Sequence, residues 1–113
     1  MLITIVTVTY NAESTLERTL KSVEMQTHGN VEHIIMDGAS KDGTLAIAQA
    51  YKERNDDRDI RIVSEPDKGL YDAMNKAIAI ANGEYICFLN AGDKLHNPQT
   101  LEFIVHIAQH NPD

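Results

Sequence analysis

Two aspartates stand where a carboxylate can do chemistry, each just beyond an apolar run. Asp37 follows residues 31–36 in the segment MDGASKDGT, and Asp93 closes EYICFLNAGD. At the first place a carboxylate can accept a hydrogen bond from a base N–H or a ribose hydroxyl. The same Asp, Gly and Ser residues also suit a turn or a helix cap. At the second place it can ligate Mg²⁺ or Mn²⁺, hard cations that take oxygen ligands and bridge phosphates. Asn90-Ala91-Gly92-Asp93 also suits a loop that only turns the chain. A third segment, SEPDKGLYDAMNKA, sets Asp67 and Lys68 before Gly69 and a helix start. A helix N-terminus there can face a phosphate, with Lys68 adding a point charge or remaining a solvated turn residue. The phosphate-loop pattern GxxxxGK[ST] and the dinucleotide pattern GxGxxG are both absent.

Other reactive residue types carry less. His106 and His110 are one helical turn apart but have no third ligand nearby in sequence, which reads as a solvated helix face. His28 and His33 receive no role. Cys87, the single cysteine, sits mid-strand as an inert core residue, and the methionines take packing positions.

The elements that must position these groups alternate. Residues 2–9, LITIVTVT, read as a buried strand. Ser14-Thr15-Leu16-Glu17 has the spacing of a capping box, followed by Leu16, Leu20 and Val23 on one helical face. Residues 31–36 form a second strand. A helix over about 42–53, with Asp42 as its N-cap, leads to a third strand at 60–63. Between Gly69 and Gly83, Leu70, Met74, Ala77, Ile78 and Ala81 mark a helix that Asn82-Gly83 stops. Residues 84–89 are a fourth strand, and Asn97-Pro98 opens a last helix with Leu101, Ile104, Val105 and Ala108 inward. Strands alternating with helices predict an α/β fold, three-layer α/β/α, with a mostly parallel, Rossmann-like sheet. Ligands of such sheets gather at the carboxyl ends of the strands. Tyr10-Asn11, Asp37, Ser64–Lys68 and Asn90–Asp93 each follow an apolar run, so all four clusters are expected on one rim.

Composition bounds the rest. A chain of 113 residues fits one domain, and 42% hydrophobic with 24% charged residues excludes a disordered chain. A net charge of −7 argues against a nucleic-acid partner but leaves room for a phosphorylated small molecule. The N-terminus lacks the basic region and cleavage site of a signal peptide, and no apolar run reaches the ~20 residues of a membrane span. One cysteine and no leader together point to a cytoplasmic protein.

With the four clusters in order, the chain resembles the family 2 glycosyltransferases of the GT-A fold, from Ile3 to about Asp93. IVTVTYNAE is similar to that family's first strand and its Pro-Thr-Tyr-Asn-x-Glu turn, with Val8 in place of proline. MDGASKDGT resembles Val-Asp-Asp-Gly-Ser-x-Asp-Gly-Thr, with Gly38 for the second Asp and Ala39 for the glycine. EPDKGLYDAMNKAIAIANGEYICFLNAGD matches the segment ending in the family's Asp-x-Asp motif, where Asp-Ala-Asp-Asp is replaced by Asn90-Ala91-Gly92-Asp93.

The resemblance implies binding of a nucleotide-diphosphate sugar, UDP-linked by expectation. Contacts would come from Thr9, Tyr10, Asn11 and Glu13, from Asp37 at the base, from Asp67, Lys68 and Asn75, and from Asn90, Ala91 and Gly92. Asp93 would ligate a divalent metal, Mn²⁺ or Mg²⁺. It further implies inverting transfer to a hydroxyl of a saccharide or lipid-linked acceptor in bacterial surface polysaccharide synthesis, at the inner face of the membrane. The family's general base lies beyond its donor-binding half, so no catalytic residue is assigned within residues 1–113. The chain is expected to be one donor-binding domain truncated before the acceptor half, with an uncovered sheet edge that favours a homodimer. The alternative is a non-catalytic α/β domain that binds a nucleotide or a protein.

Overall fold

The computed structural model describes residues 1–110. Four strands and four helices alternate: β1 (Ile3–Thr9), α1 (Leu16–Glu24), β2 (Val31–Asp37), α2 (Thr44–Arg54), β3 (Asp59–Ser64), α3 (Leu70–Ile80), β4 (Tyr85–Phe88) and α4 (Thr100–His110). All pairings are parallel and the strand order is β3-β2-β1-β4. β1 is therefore central although it comes first, and the chain changes direction across the sheet between β1 and β4.

Alternation along each strand divides the core by face. Ile35 and Ile60 pack with Leu16, Leu20, Ala48 and Tyr51 of α1 and α2. Ile3 and Ile5, on that same face, pack with Val23 of α1 and Leu101 of α4. Val6, Ile34 and Met36 face the other way onto Ala73 and Ala77 of α3. The result is three layers, α/β/α, as the alternating pattern predicts.

Three expectations need correction. The capping box does not form: α1 starts at Leu16 without a side-chain cap, its first amides bond Ala12 O, and Glu17 instead pairs with Arg54 at 2.8 Å. α3 ends at Ile80, and its buried stripe is Ala73 and Ala77, while Leu70 and Ile78 are exposed. Two alanines let the helix axis lie close on the sheet, and the larger residues are rotated off it. Met25, expected in packing, is 64% exposed.

β4 is only four residues long and forms one end of the sheet. Its Ile86 and Phe88 pair in register with Thr4 and Val6, on the α3 face, and both are exposed. At the opposite end of the strands, buried Glu32 accepts from Thr4 Oγ1, Asn82 N and Asn82 Nδ2, each at 2.8 Å. That clasp fixes the turn into β4. A Cβ on Gly83 would meet the Thr4 backbone nitrogen at 2.6 Å, so only glycine passes there.

Candidate functional site

The parallel register brings the four polar clusters to one rim, at the carboxyl ends of the strands. Backbone bonds continue the ladder into it, from Gly38 N to Thr9 O and from Glu65 N to Asp37 O, both 2.9 Å. The rim has two parts, one on each side of the end of β1.

Asp37 organises the first. Its Oδ1 accepts from Thr9 Oγ1 (2.7 Å) and Ser40 Oγ (2.6 Å), and its Oδ2 from Ser40 N (2.9 Å) and Ser64 Oγ (2.8 Å). The residue is 1% exposed. Burial alone would raise its carboxyl, but the bonds from Ser40, Thr9 and Ser64 outweigh it and hold the group below its ordinary value. The carboxylate thus ties β1, β2 and β3 together at the point where their chains leave the sheet. Both oxygens already accept two bonds each, the full capacity of a carboxylate.

The loop after Asp37 is laced to the loop after β1. Asn11 N donates to Ser40 Oγ and its Oδ1 accepts from Lys41 N, at 2.8 and 2.9 Å. Ala12 N donates to Thr44 Oγ1 at 2.8 Å, and Glu13 Oε2 accepts from Gly43 N at 2.9 Å. Glu13 therefore supplies a carboxylate to the N-terminus of α2, assisted by Asp42, whose Oδ1 accepts from Thr44 N. Asn11 and Ala39 take left-handed backbone, φ 47° and 61°. Ala39 holds this without glycine's freedom, at a cost of about 1 kcal/mol.

Above this lacing, Tyr10 is 62% exposed. A Cβ on Gly38 would approach Asp67 Oδ2 at 2.8 Å and the Tyr10 ring at 3.5 Å. Asp67 therefore lies against the place where a side chain at position 38 would begin. Its Oδ1 accepts from Gly69 N at 3.0 Å, and Asp72 Oδ2 accepts from Lys68 N at 2.9 Å, so both carboxylates fix the turn that leads into α3, which itself has no side-chain cap. Lys68 and Asn75 are exposed and neither side chain takes a hydrogen bond or ion pair among the described residues.

The second part is the Asn90–Asp93 turn. Asp93 N donates to Asn90 O at 2.9 Å, and Gly92 has φ 99°, as the third residue of such a turn requires. Gly92 thus stands where a carboxylate would be strained by this backbone. Thr19 of α1 pins the turn, its hydroxyl accepting from Gly92 N (2.8 Å) and donating to Asp93 O (2.6 Å). The Asp93 carboxylate is exposed, and Asn90 Oδ1 is buried without a partner.

The sequence marks neither Ser40 nor Thr19 by itself, and marks Ser64 only as the start of the Ser64–Lys68 cluster. Ser40 stood in the quoted MDGAS segment and Ser64 at a strand end, whereas nothing marked Thr19 within its helix. His33 is also more than a strand residue: fully buried, it meets Tyr51 Oη through Nδ1 and Thr7 Oγ1 through Nε2, each at 2.8 Å.

A family model described as Glycosyl transferase family 2 matches residues 4–113. The chain belongs to that family. It is 37% identical over 105 residues to a PGL/p-HBAD biosynthesis glycosyltransferase of Mycobacterium tuberculosis, covering 92% of this chain and 41% of that protein. The chain thus spans about two fifths of the length of this relative. Among solved structures it is similar to the mannosyltransferase PcManGT of Pyrobaculum calidifontis in complex with GDP-Man and Mn²⁺. That match has 27% identity and TM-score 0.87, over 94% of this chain and 32% of that one. It is also similar to S. aureus TarS 1–349 in complex with UDP-GlcNAc, with 25% identity and TM-score 0.89, over 99% and 32%. The fold of this family 2 chain is GT-A, as its resemblance implies.

Among the described residues, no three His, Cys, Asp or Glu side chains gather to hold a metal. What is present is the exposed Asp93 carboxylate and the unpartnered Asn90 Oδ1 in one turn. Both are hard oxygen donors, the chemistry that suits Mg²⁺ or Mn²⁺ completed by oxygens of a phosphorylated ligand. No helix among the described residues is long and apolar enough to cross a membrane.

Proposed function

We propose that this chain is the donor-binding part of a transferase, holding a nucleotide-diphosphate sugar across the end of β1. The strand order carries the reading. In β3-β2-β1-β4 the chain reverses beside β1, and ligands of open parallel sheets bind in the crevice at that place. Both flanks of the crevice suit such a ligand. Tyr10 offers a ring for a base to stack on, and Asp67 offers a free carboxylate oxygen beside it. Asp37, with both oxygens filled, acts by holding Thr9, Ser40 and Ser64 in place, not by reading the base itself. On the other flank Asp93, with Asn90 Oδ1, would hold a divalent metal. That metal, when bound, neutralises charge on the leaving diphosphate. Lys68, at the start of α3, would add positive charge to the same anion.

The solved neighbours support this reading, since two of them are described with GDP-Man or UDP-GlcNAc. Transfer to a saccharide or lipid-linked hydroxyl, with inversion, follows from family resemblance. The base for that hydroxyl is not among the residues proposed for the donor, and residues 1–113 would form one donor-binding domain. The work would be surface glycan synthesis at the cytoplasmic face of the membrane.

Calorimetric titration with UDP-GlcNAc and GDP-mannose, with and without Mn²⁺, tests the proposal. One donor should bind, with affinity that falls about tenfold or more in Tyr10→Ala and Asp67→Ala. Asp93→Ala should remove the Mn²⁺ dependence. No heat with any nucleoside diphosphate, from a chain that melts cooperatively, would overturn it in favour of a protein-interaction domain.

A further inference from the structure

A cavity of about 490 Å³ lies between α1 and the chain that follows Asp93. One wall is α1 from Glu17 onward with Met25 just past its end, and the other is the chain from Lys94 to Pro98. The walls are fastened at several points. Leu95 N donates to Ser22 Oγ at 3.1 Å, Gln26 Nε2 to Asn97 O at 2.8 Å, and Thr27 N to Pro98 O at 2.8 Å. Gln26 also accepts from Leu101 N at 3.0 Å, which anchors the start of α4. The cavity is therefore a formed feature of the fold, in the size range of small-molecule sites, roughly 300–1,000 Å³.

Its charge runs against the rest of the chain. The whole sequence has net charge −7, yet Arg18, Lys21 and Lys94 all line this cavity. None of the three makes an ion pair among the described residues, where Arg54, Arg61 and Lys76 do. Glu17, the one acidic residue in the lining, is already held by Arg54 at 2.8 Å. The same lining includes Met25, 64% exposed, with Leu95 and Pro98. Three cations without ion pairs and an exposed apolar side chain thus share one formed lining. An anionic group with an apolar portion satisfies both: the head meets the cations, and the tail covers Met25 and the aliphatic stems of the lysines.

We propose that this cavity binds a phosphate-bearing amphiphile, with the phosphate at Arg18, Lys21 and Lys94 and the apolar part against Met25, Leu95 and Pro98. The lining begins one residue past Asp93 but shares no side chain with the donor crevice, and the proposal does not rest on the function proposed for that crevice. Two sources share this chemistry, a dispersed amphiphile and a lipid headgroup at a bilayer surface.

The test uses dihexanoyl phosphatidylglycerol as dispersed monomer, followed by chemical shifts of the Met25 methyl and the Lys94 to Asn97 amides. Flotation with phosphatidylcholine vesicles, with and without phosphatidylglycerol, is run alongside. Saturable shifts with the monomer are expected, weakened about tenfold or more in Lys21→Glu/Lys94→Glu. Flotation that requires phosphatidylglycerol and is lost in that double variant assigns the source to a bilayer. Saturable binding of the monomer without flotation assigns it to a dispersed ligand. Met25→Ser should weaken the monomer but leave inorganic phosphate unchanged, which separates the apolar contribution from the ionic one. Lys21→Glu alone should leave the calorimetric response to nucleotide as it is in the parent chain. Equal binding of dihexanoyl phosphatidylcholine, indifference to the charge reversals in a folded variant, or phosphate binding as tightly as the amphiphile would each overturn the proposal.

Discussion

The two aspartates on either side of β1 share a residue type and a position beyond a strand, but differ in almost everything else. Asp37 is buried, accepts four hydrogen bonds and joins three strands, with hydroxyls from Thr9, Ser40 and Ser64 aimed at it. Asp93 is exposed, and the bonds of its turn are made by backbone and by Thr19, leaving the carboxylate uncommitted. A carboxylate whose lone pairs are filled by its own protein shapes a site; one with lone pairs to spare can meet a ligand. Position at a strand end does not separate the two, whereas the donors around each do.

The largest expected effect breaks the comparison at its root. Asp37→Ala leaves three hydroxyls and an amide without their acceptor and should lower stability by about 3 kcal/mol or more. Asp93→Ala should stay within about 0.5 kcal/mol. Urea denaturation of the two variants checks both, and equal losses would erase the distinction.

Acid should act on the β2 flank first. Burial pushes His33 down to about 3, so between that value and its ordinary one near 6.5 the unfolded chain is protonated and the folded chain is not. In that window the unfolded state binds more protons, so stability falls as pH falls, by up to about 1.4 kcal/mol per unit. Asp37 and Glu32, both held below their ordinary values, contribute stability above the carboxylate range and lose it as pH drops through their folded values. Urea midpoints from about pH 7 to about pH 4 should decline, and His33→Gln should flatten the upper part of that decline. A parent chain flat over the whole range would remove His33 from the account.

A more local effect is expected on the other flank. Thr19→Val removes the hydroxyl that holds Gly92 N and Asp93 O and should cost about 1–2 kcal/mol. Faster hydrogen exchange should be confined to the Gly92 and Asp93 amides. Loss of protection across β2 as well would mean that the two flanks are one cooperative unit.

Much of this was legible in the sequence because it depends on local pattern. Apolar β-branched runs gave four strands, Gly and Asn gave their ends, and the alternation of element types gave a parallel sheet and hence one rim. The misreadings arose where a distant partner decides. Ser14 and Glu17 have capping-box spacing, but Arg54, on another helix, claims Glu17. Leu70 and Ile78 have the right period, but close approach to the sheet selects Ala73 and Ala77. Asp37 was visible as a candidate, yet its saturation depends on Ser40 and on Ser64, a residue one strand away. The Gly38 and Gly92 departures from the family pattern looked like missing carboxylates. In the structure Gly38 leaves room for Asp67, and Gly92 permits the turn that presents Asp93.

β1 is bonded on both sides, to β2 and to β4, and Thr4 receives Gly83 from 79 positions along the chain. At roughly 5–20 residues per second of synthesis, the first strand waits on the order of 4–16 s for its second neighbour. For that interval ITIVTVT, among the most apolar and β-branched segments of the protein, has one edge open on the nascent chain. The clasp of Glu32 on Thr4 and Asn82 then acts as the latch that ends the wait. Variants of that clasp should reveal themselves in the yield of folded protein during synthesis before they do in the melting of the finished fold.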